Sequence, residues 1–173
     1  MSDTSNPTGQ EDFLAAYDEY SDAIFRFCLV KVSDREKALD ITQETFTRAW
    51  DYQRKGSIIE SWKPFLFRTA YNLIVDSYRK KKSSSLDAME EDINFIPPDT
   101  ATLTTEMKAE FSRVIKALDS LDDGFKEPIT LRFVEGLSPS EIGAIMGVSE
   151  NVISVRIHRG LEKLKVLLHA HDV

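Results

Sequence analysis

The chain has 173 residues and a formal net charge of −7, with 42% hydrophobic and 29% charged residues. That is the balance of a soluble globular protein with one or two small domains, and no apolar run reaches the length of a membrane span. The N-terminal MSDTSNPTGQ lacks the basic and apolar pattern of a secretory signal, so the protein reads as cytosolic, with no membrane partner. A lone cysteine, Cys28, rules out an internal disulfide, and its place in FRFCLV suits a buried structural thiol. His158, His169 and His171 lack Cys or carboxylate partners at metal-ligand spacing, so neither a metal nor a cofactor is expected.

Phe13, Leu14, Tyr17, Tyr20, Ile24, Phe27 and Cys28 recur with helical spacing and predict a first helix over residues 11–32. Ser33 is a candidate cap for a second helix from Asp34 to Arg54, with Asp34 and Glu36 in its first turn. At about 100° per residue, Asp40, Gln43, Glu44 and Thr47 share one side of it. Ala38, Ile41, Phe46, Ala49 and Trp50 spread over the other. Periodicity alone leaves a solvated face and a binding face both open.

Lys55-Gly56-Ser57 breaks the second helix, and a third runs from Trp62 to Lys82, with Pro64 tolerated in its first turn. Its Arg68, Asn72, Asp76 and Arg79 form one polar stripe beside the packing residues Trp62, Phe65, Leu66, Thr69 and Leu73. It ends in Arg79-Lys80-Lys81-Lys82. Residues 48–82 hold nine Lys/Arg against three Asp/Glu, a net of +6 inside an acidic chain. Local field, not total charge, governs phosphate binding. Trp50, Tyr52, Trp62, Phe65, Phe67, Tyr71 and Tyr78 interleave with these cations. Positive charge among rings is the chemistry that captures unstacked single strands. The alternative is that the rings are core, which fits Phe65 and Phe67 best. The loop from Tyr52 to Glu60 reads equally as a pocket for an extruded base or as a connector.

Ser83 to Ala101, SSSLDAMEEDINFIPPDTA, has the serines, acids and Pro-Pro pair of a linker. Helical patterning resumes over residues 102–121, pauses at Asp122-Asp123-Gly124, and continues from Phe125 to Glu135, where Gly136 ends it. No strand-type alternation competes. The expected fold class is all-α: two small helical domains, 11–82 and 102–170, joined by a flexible acidic linker over 83–101.

The chain closes on PSEIGAIMGVSENVISVRIHRGL, Pro139 to Leu161, which has the shape of a helix-turn-helix. Ile142, Met146, Val148, Ile153 and Ile157 are apolar where the two helices must pack. Gly143 is small where they cross, Gly147 suits the left-handed turn, and Ser149 can cap the second helix. Glu150, Asn151, Ser154, His158 and Arg159 are left outward, with Arg156 near the edge. Asn and Arg can pair bidentately with base edges, and Ser can reach a base or a phosphate. An ordinary helical hairpin is the competing reading.

Two segments carry a resemblance. DITQETFTRAW (Asp40 to Trp50), followed by SWKPFLFRTAYNLIVDSYRKKK (Ser61 to Lys82), resembles domain 2 of bacterial sigma factors of the sigma-70 family. Leu118 to Leu164 resembles their domain 4. Their order, with a short acidic linker between them, is similar to the extracytoplasmic-function group. The resemblance implies no enzyme activity and no small-molecule substrate. It implies core RNA polymerase and promoter DNA as partners, with an anti-sigma factor as regulator.

The resemblance also implies roles for particular residues. Asp40, Gln43, Glu44 and Phe46 would dock on the polymerase. Arg68, Asn72, Asp76, Arg79 and Lys80 would meet the −10 element, with Lys63 and the loop from Arg54 capturing a flipped base. Ser149, Glu150, Asn151, Ser154, Arg156, His158 and Arg159 would read the −35 element. The sequence departs from the family pattern at Gly143, where Ala is usual, at Ser154, where Lys is frequent, and in the turn DDGF. Gly160 interrupts the last helix at a cost of about 1 kcal/mol relative to Ala. A decoy that keeps the fold only to bind an anti-sigma factor is the alternative; it would need neither the basic segment nor a polar reading face.

Overall fold

The computed structural model describes residues 7–82 and 104–170. It forms two compact units, and every regular element among the described residues is helical. The expected linker, 83–101, lies outside the described residues.

The first unit packs α1 (Pro7–Val32), α2 (Arg35–Arg54) and α3 (Trp62–Lys82) pairwise against one another. Ile24, Phe27, Ala38, Ala49, Leu66, Phe67, Ala70 and Ile74 form its core. Phe27 meets Phe67 edge-on at 5.3 Å between ring centroids. Cys28 is fully buried. Burial pushes its thiol from 9.0 up to about 11, against a smaller lowering by a hydrogen bond with Thr42. Thr42 and Thr45 are buried too, and each donates its hydroxyl to the carbonyl one turn back, Ala38 and Ile41, at 2.7 Å.

One sequence expectation fails at the junction of α1 and α2. Ser33 does not cap α2. It takes φ 52° and its N–H closes α1 on the Leu29 carbonyl at 2.9 Å. The cap is Asp34, extended at φ −144°, whose Oδ1 accepts from the Lys37 N–H at 3.0 Å. Two helices joined by two residues need one left-handed residue to turn the chain, and that pushes the cap one position on.

The second unit holds α4 (Thr105–Asp119), α5 (Asp123–Phe133), α6 (Pro139–Met146) and α7 (Glu150–Ala170), with α7 packed on the other three. Ala117, Leu121, Ile129, Leu131, Leu137, Ile142, Ile145 and Ile153 are its core. Thr104 caps α4 through the Met107 N–H at 3.3 Å. The Asp122-Asp123-Gly124 turn is instead the start of α5. The Asp122 carbonyl accepts from the Phe125 and Lys126 N–H groups at 2.9 and 3.0 Å, so Asp123 and Gly124 lie inside the first turn. The helix also ends earlier than expected, at Phe133. Gly160 lies in close packing: a Cβ there would stand 2.6 Å from Ile129 Cδ1, the movable end of that side chain, and 3.1 Å from Phe125 Cβ.

Candidate nucleic-acid interface

The helix-turn-helix is built as its sequence asks. Ser138 and Glu141 close a reciprocal capping box at the start of α6, with Ser138 N–H to Glu141 Oε2 at 2.7 Å and Glu141 N–H to Ser138 Oγ at 3.2 Å. Gly147 ends α6 at φ 70°. Ser149 Oγ then accepts from the Val152 N–H at 3.3 Å and opens α7. That cap uses an acceptor site of the hydroxyl and not its O–H hydrogen. Gly143 sits under the turn: a Cβ there would stand 2.7 Å from the Val148 carbonyl oxygen. With Ile142 and Ile153 fully buried, the turn fixes α7 on α6 and decides which residues of α7 face out.

Those residues are Glu150, Asn151, Ser154, His158 and Arg159, all exposed, with Arg156 half-buried at the edge. His158 Nε2 lies 3.6 Å from Glu162 Oε1, one turn on. The polar reading of this face missed two residues. Val152 and Val155 are 39% and 48% exposed, and the signal for Val155 was its outward position in the spacing.

On α3, Arg68, Asn72, Asp76, Arg79 and Lys80 are all exposed, so the stripe is at the surface, continuous with the basic end of the helix. The rings divide. Phe67 is core. Phe13 of α1 gathers Trp50 and Trp62 at centroid distances of 5.0 and 6.1 Å, leaving both tryptophans half-buried. Tyr52 leans on the half-buried Phe65 at 5.1 Å. The Tyr78 hydroxyl donates to the Lys31 carbonyl. Tyr52 and Tyr78 are the large rings of this segment that remain exposed.

The loop between α2 and α3 turns at Gly56, φ 83°. Ile59 is buried while Ile58 is 83% exposed. Arg54, the last residue of α2, is exposed. Lys63 is half-buried beside a cavity of about 330 Å³, lined also by Asp12, Glu19, Tyr20 and Glu60. Three carboxylates therefore share the surroundings of this lysine, which the sequence did not reveal because two of them come from α1. Tyr20 is held above its ordinary range by burial, and further by its hydrogen bond with Glu19 and that residue's charge.

On α2, Asp40, Gln43, Glu44 and Thr47 are exposed together, and Glu44 Oε1 accepts from Arg48 Nε at 2.8 Å. Phe46 is not on this surface. It is 3% exposed and packs against Tyr17 and Phe13 at 4.8 and 6.3 Å. Its helical position, on the side of Ala38 and Ala49, decides this.

Comparison with known proteins agrees with both units. Residues 16–84 match the family model described as Sigma-70 region 2, and residues 117–166 match Sigma-70, region 4. The chain is 31% identical over 168 residues to the ECF RNA polymerase sigma factor SigW of Bacillus subtilis, covering 90% of this chain and 88% of that one. It is 31% identical over 178 residues to the ECF RNA polymerase sigma factor SigE of Mycolicibacterium smegmatis, covering 95% of this chain and 66% of the relative's length. Among solved structures, the sigma factor RpoE from Bartonella quintana, in co-crystals with the anti-sigma factor NepR, superposes with a TM-score of 0.74 at 25% identity over 92% of this chain and 98% of that one. The chain belongs to the sigma-70 family of RNA polymerase sigma factors, in its extracytoplasmic-function group. Sigma factors are transcription-initiation factors and not enzymes. No helix among the described residues is long and apolar enough to cross a membrane.

Proposed function

We propose that this protein is a promoter-specificity subunit that binds core RNA polymerase in the cytoplasm and directs it to promoters read at two elements. The observation that carries the reading is the pairing, in one chain, of a region 2 unit bearing an exposed Arg68–Asn72–Asp76–Arg79 stripe with a region 4 unit bearing an exposed α7 face. Residues 11–82 dock on the polymerase and open the −10 element. Residues 102–170 hold the −35 element.

Within the first unit, Asp40, Gln43 and Glu44 form the docking face, and Phe46 supports it from behind. Arg68, Asn72, Asp76, Arg79 and Lys80 track the −10 strand, while Arg54 and Lys63 flank the loop that receives an extruded base. Melting unstacks bases at about a few kcal/mol per step. Stacking on an exposed ring such as Tyr52, together with contacts along the basic end of α3, offsets that cost.

Within the second unit, Ser149, Glu150, Asn151, Ser154, Arg156, His158 and Arg159 meet the −35 duplex. Residues 124–173 hold six Lys/Arg and six Asp/Glu. This unit therefore has little of the charge that supplies non-specific affinity, and it relies on the tether through polymerase to hold it at its element. An anti-sigma factor is the expected regulator, by analogy with the B. quintana complex. The exposed cations and amides on α3 and α7 favour promoter reading over a decoy role.

The test is run-off transcription with core polymerase and a genomic promoter pool. Adding this protein should give initiation at a discrete set of start sites. Start sites no different from those of core alone would refute the reading.

A further inference from the structure

The centre of the outward face of α7 is apolar. At about 100° per residue, Val155 lies between Asn151 and Arg159, one turn before and one turn after it. It faces away from the buried Ile153 and Gly160. Val152 precedes it by three residues, so the two form a short apolar ridge, 39% and 48% exposed, leading to Arg159. Scattered exposed valines are ordinary on protein surfaces. These two are distinguished by position, in the first two turns of α7, the N-terminal part through which a recognition helix contacts base edges. Val166, the other exposed valine of α7, lies three turns further along the helix, away from Asn151 and Arg159.

We infer that Val155, supported by Val152, is a specificity residue that reads thymine through its 5-methyl group in the major groove of the −35 element. This rests on the promoter-reading function proposed above. The thymine methyl is the apolar group on the major-groove edge of the bases, and an aliphatic side chain is its partner. Valine has no donor or acceptor, so a purine edge facing it loses water and gains no hydrogen bond. The flanking Asn151 and Arg159 can then pair with bases beside that thymine. A face with few charges thus draws part of its discrimination from apolar contact.

The test uses holoenzyme assembled from core polymerase and the full chain, on a duplex promoter library randomised across the −35 segment. Wild type should select thymine, on either strand, at one position or more. Replacing that thymine by deoxyuridine, which lacks only the methyl, should lower initiation about fourfold, the worth of one buried methyl-sized group. Val155→Ala holoenzyme should lose the thymine preference and respond to deoxyuridine by less than about half that factor. Val155→Ile, which keeps an apolar branched side chain, should retain the preference. Alanine is the better helix former, so loss of folding will not mimic the result, and circular dichroism checks it. A wild-type enzyme that initiates specifically yet is indifferent to deoxyuridine throughout the −35 segment would overturn the inference. So would an equal deoxyuridine penalty in wild type and Val155→Ala. A wild type with no specific initiation would overturn the promoter-reading function and this inference with it.

Discussion

Gly143→Ala sets two physical effects of known size against each other. Inside a helix, Ala is favoured over Gly by about 1 kcal/mol. At this position the new Cβ would stand 2.7 Å from the Val148 carbonyl oxygen and 3.4 Å from the Glu150 nitrogen. Both are backbone atoms, so no flexible side chain can swing aside. Relief requires α6 to move against the turn, and overpacking of this kind costs about 1–3 kcal/mol. The expected balance is a loss of about 1 kcal/mol, confined to the second unit.

The two units can be followed separately. Both tryptophans, Trp50 and Trp62, belong to the first unit, so tryptophan fluorescence reports that unit alone, while far-ultraviolet circular dichroism reports helix in both. In urea, with a slope of about 2 kcal/mol/M, the circular dichroism component not seen by fluorescence should shift its midpoint down by about 0.5 M. The fluorescence midpoint should stay in place. A variant as stable as wild type, or more stable, would show that the turn yields freely and that this contact does not fix α7 on α6. A shift in the fluorescence midpoint would refute the independence of the units.

Asp40→Ala with Glu44→Ala should weaken binding to core polymerase at least about tenfold, on the scale of interface positions that matter. Stability should change little, because the Glu44–Arg48 pair is exposed and worth under about 1 kcal/mol; unchanged core affinity in a pull-down titration would remove the docking assignment. Cys28 holds its proton more tightly in the folded state, since burial raises it from 9.0 to about 11. Its stabilisation is whole below pH 9 and is lost as pH rises through about 11, a loss on the order of a few kcal/mol. Urea unfolding of wild type should therefore weaken relative to Cys28→Ala across that interval, and parallel pH profiles would contradict it. Arg79→Ala and Lys80→Ala should each flatten the salt dependence of promoter-complex formation by about 0.7 to 0.9 in the log–log slope; an unchanged slope would place these cations away from the phosphates.

The sequence placed most of the helices because their apolar spacing is local information. α3 runs from Trp62 to Lys82 as its pattern asked, and Gly147 and Ser149 punctuate the helix-turn-helix as expected. Where the sequence misled, a tertiary constraint had decided. Ser33 and Asp34 are both capable caps, and only the left-handed turn at Ser33 gives the role to Asp34. The carboxylates around Lys63 come together because α1 packs beside the loop before α3, a contact across more than forty residues that no spacing encodes. Phe46 illustrates the converse: its helical position put it in the core even though the family resemblance grouped it with the docking face. Val155 is outward by its helical spacing, but as an apolar residue it carries no hydrogen-bonding signal in the sequence.

On the proposed function, promoter reading emerges only when polymerase holds both units in place. Footprinting of one promoter from the selected pool, with the full chain alone and then with core polymerase, tests it most directly. At physiological salt the chain alone should protect neither element. With core polymerase it should protect the −35 and −10 segments and render thymines around the −10 element reactive to permanganate. Specific protection by the chain alone, or unchanged footprints on adding core, would show that polymerase is not what holds the two units on the promoter.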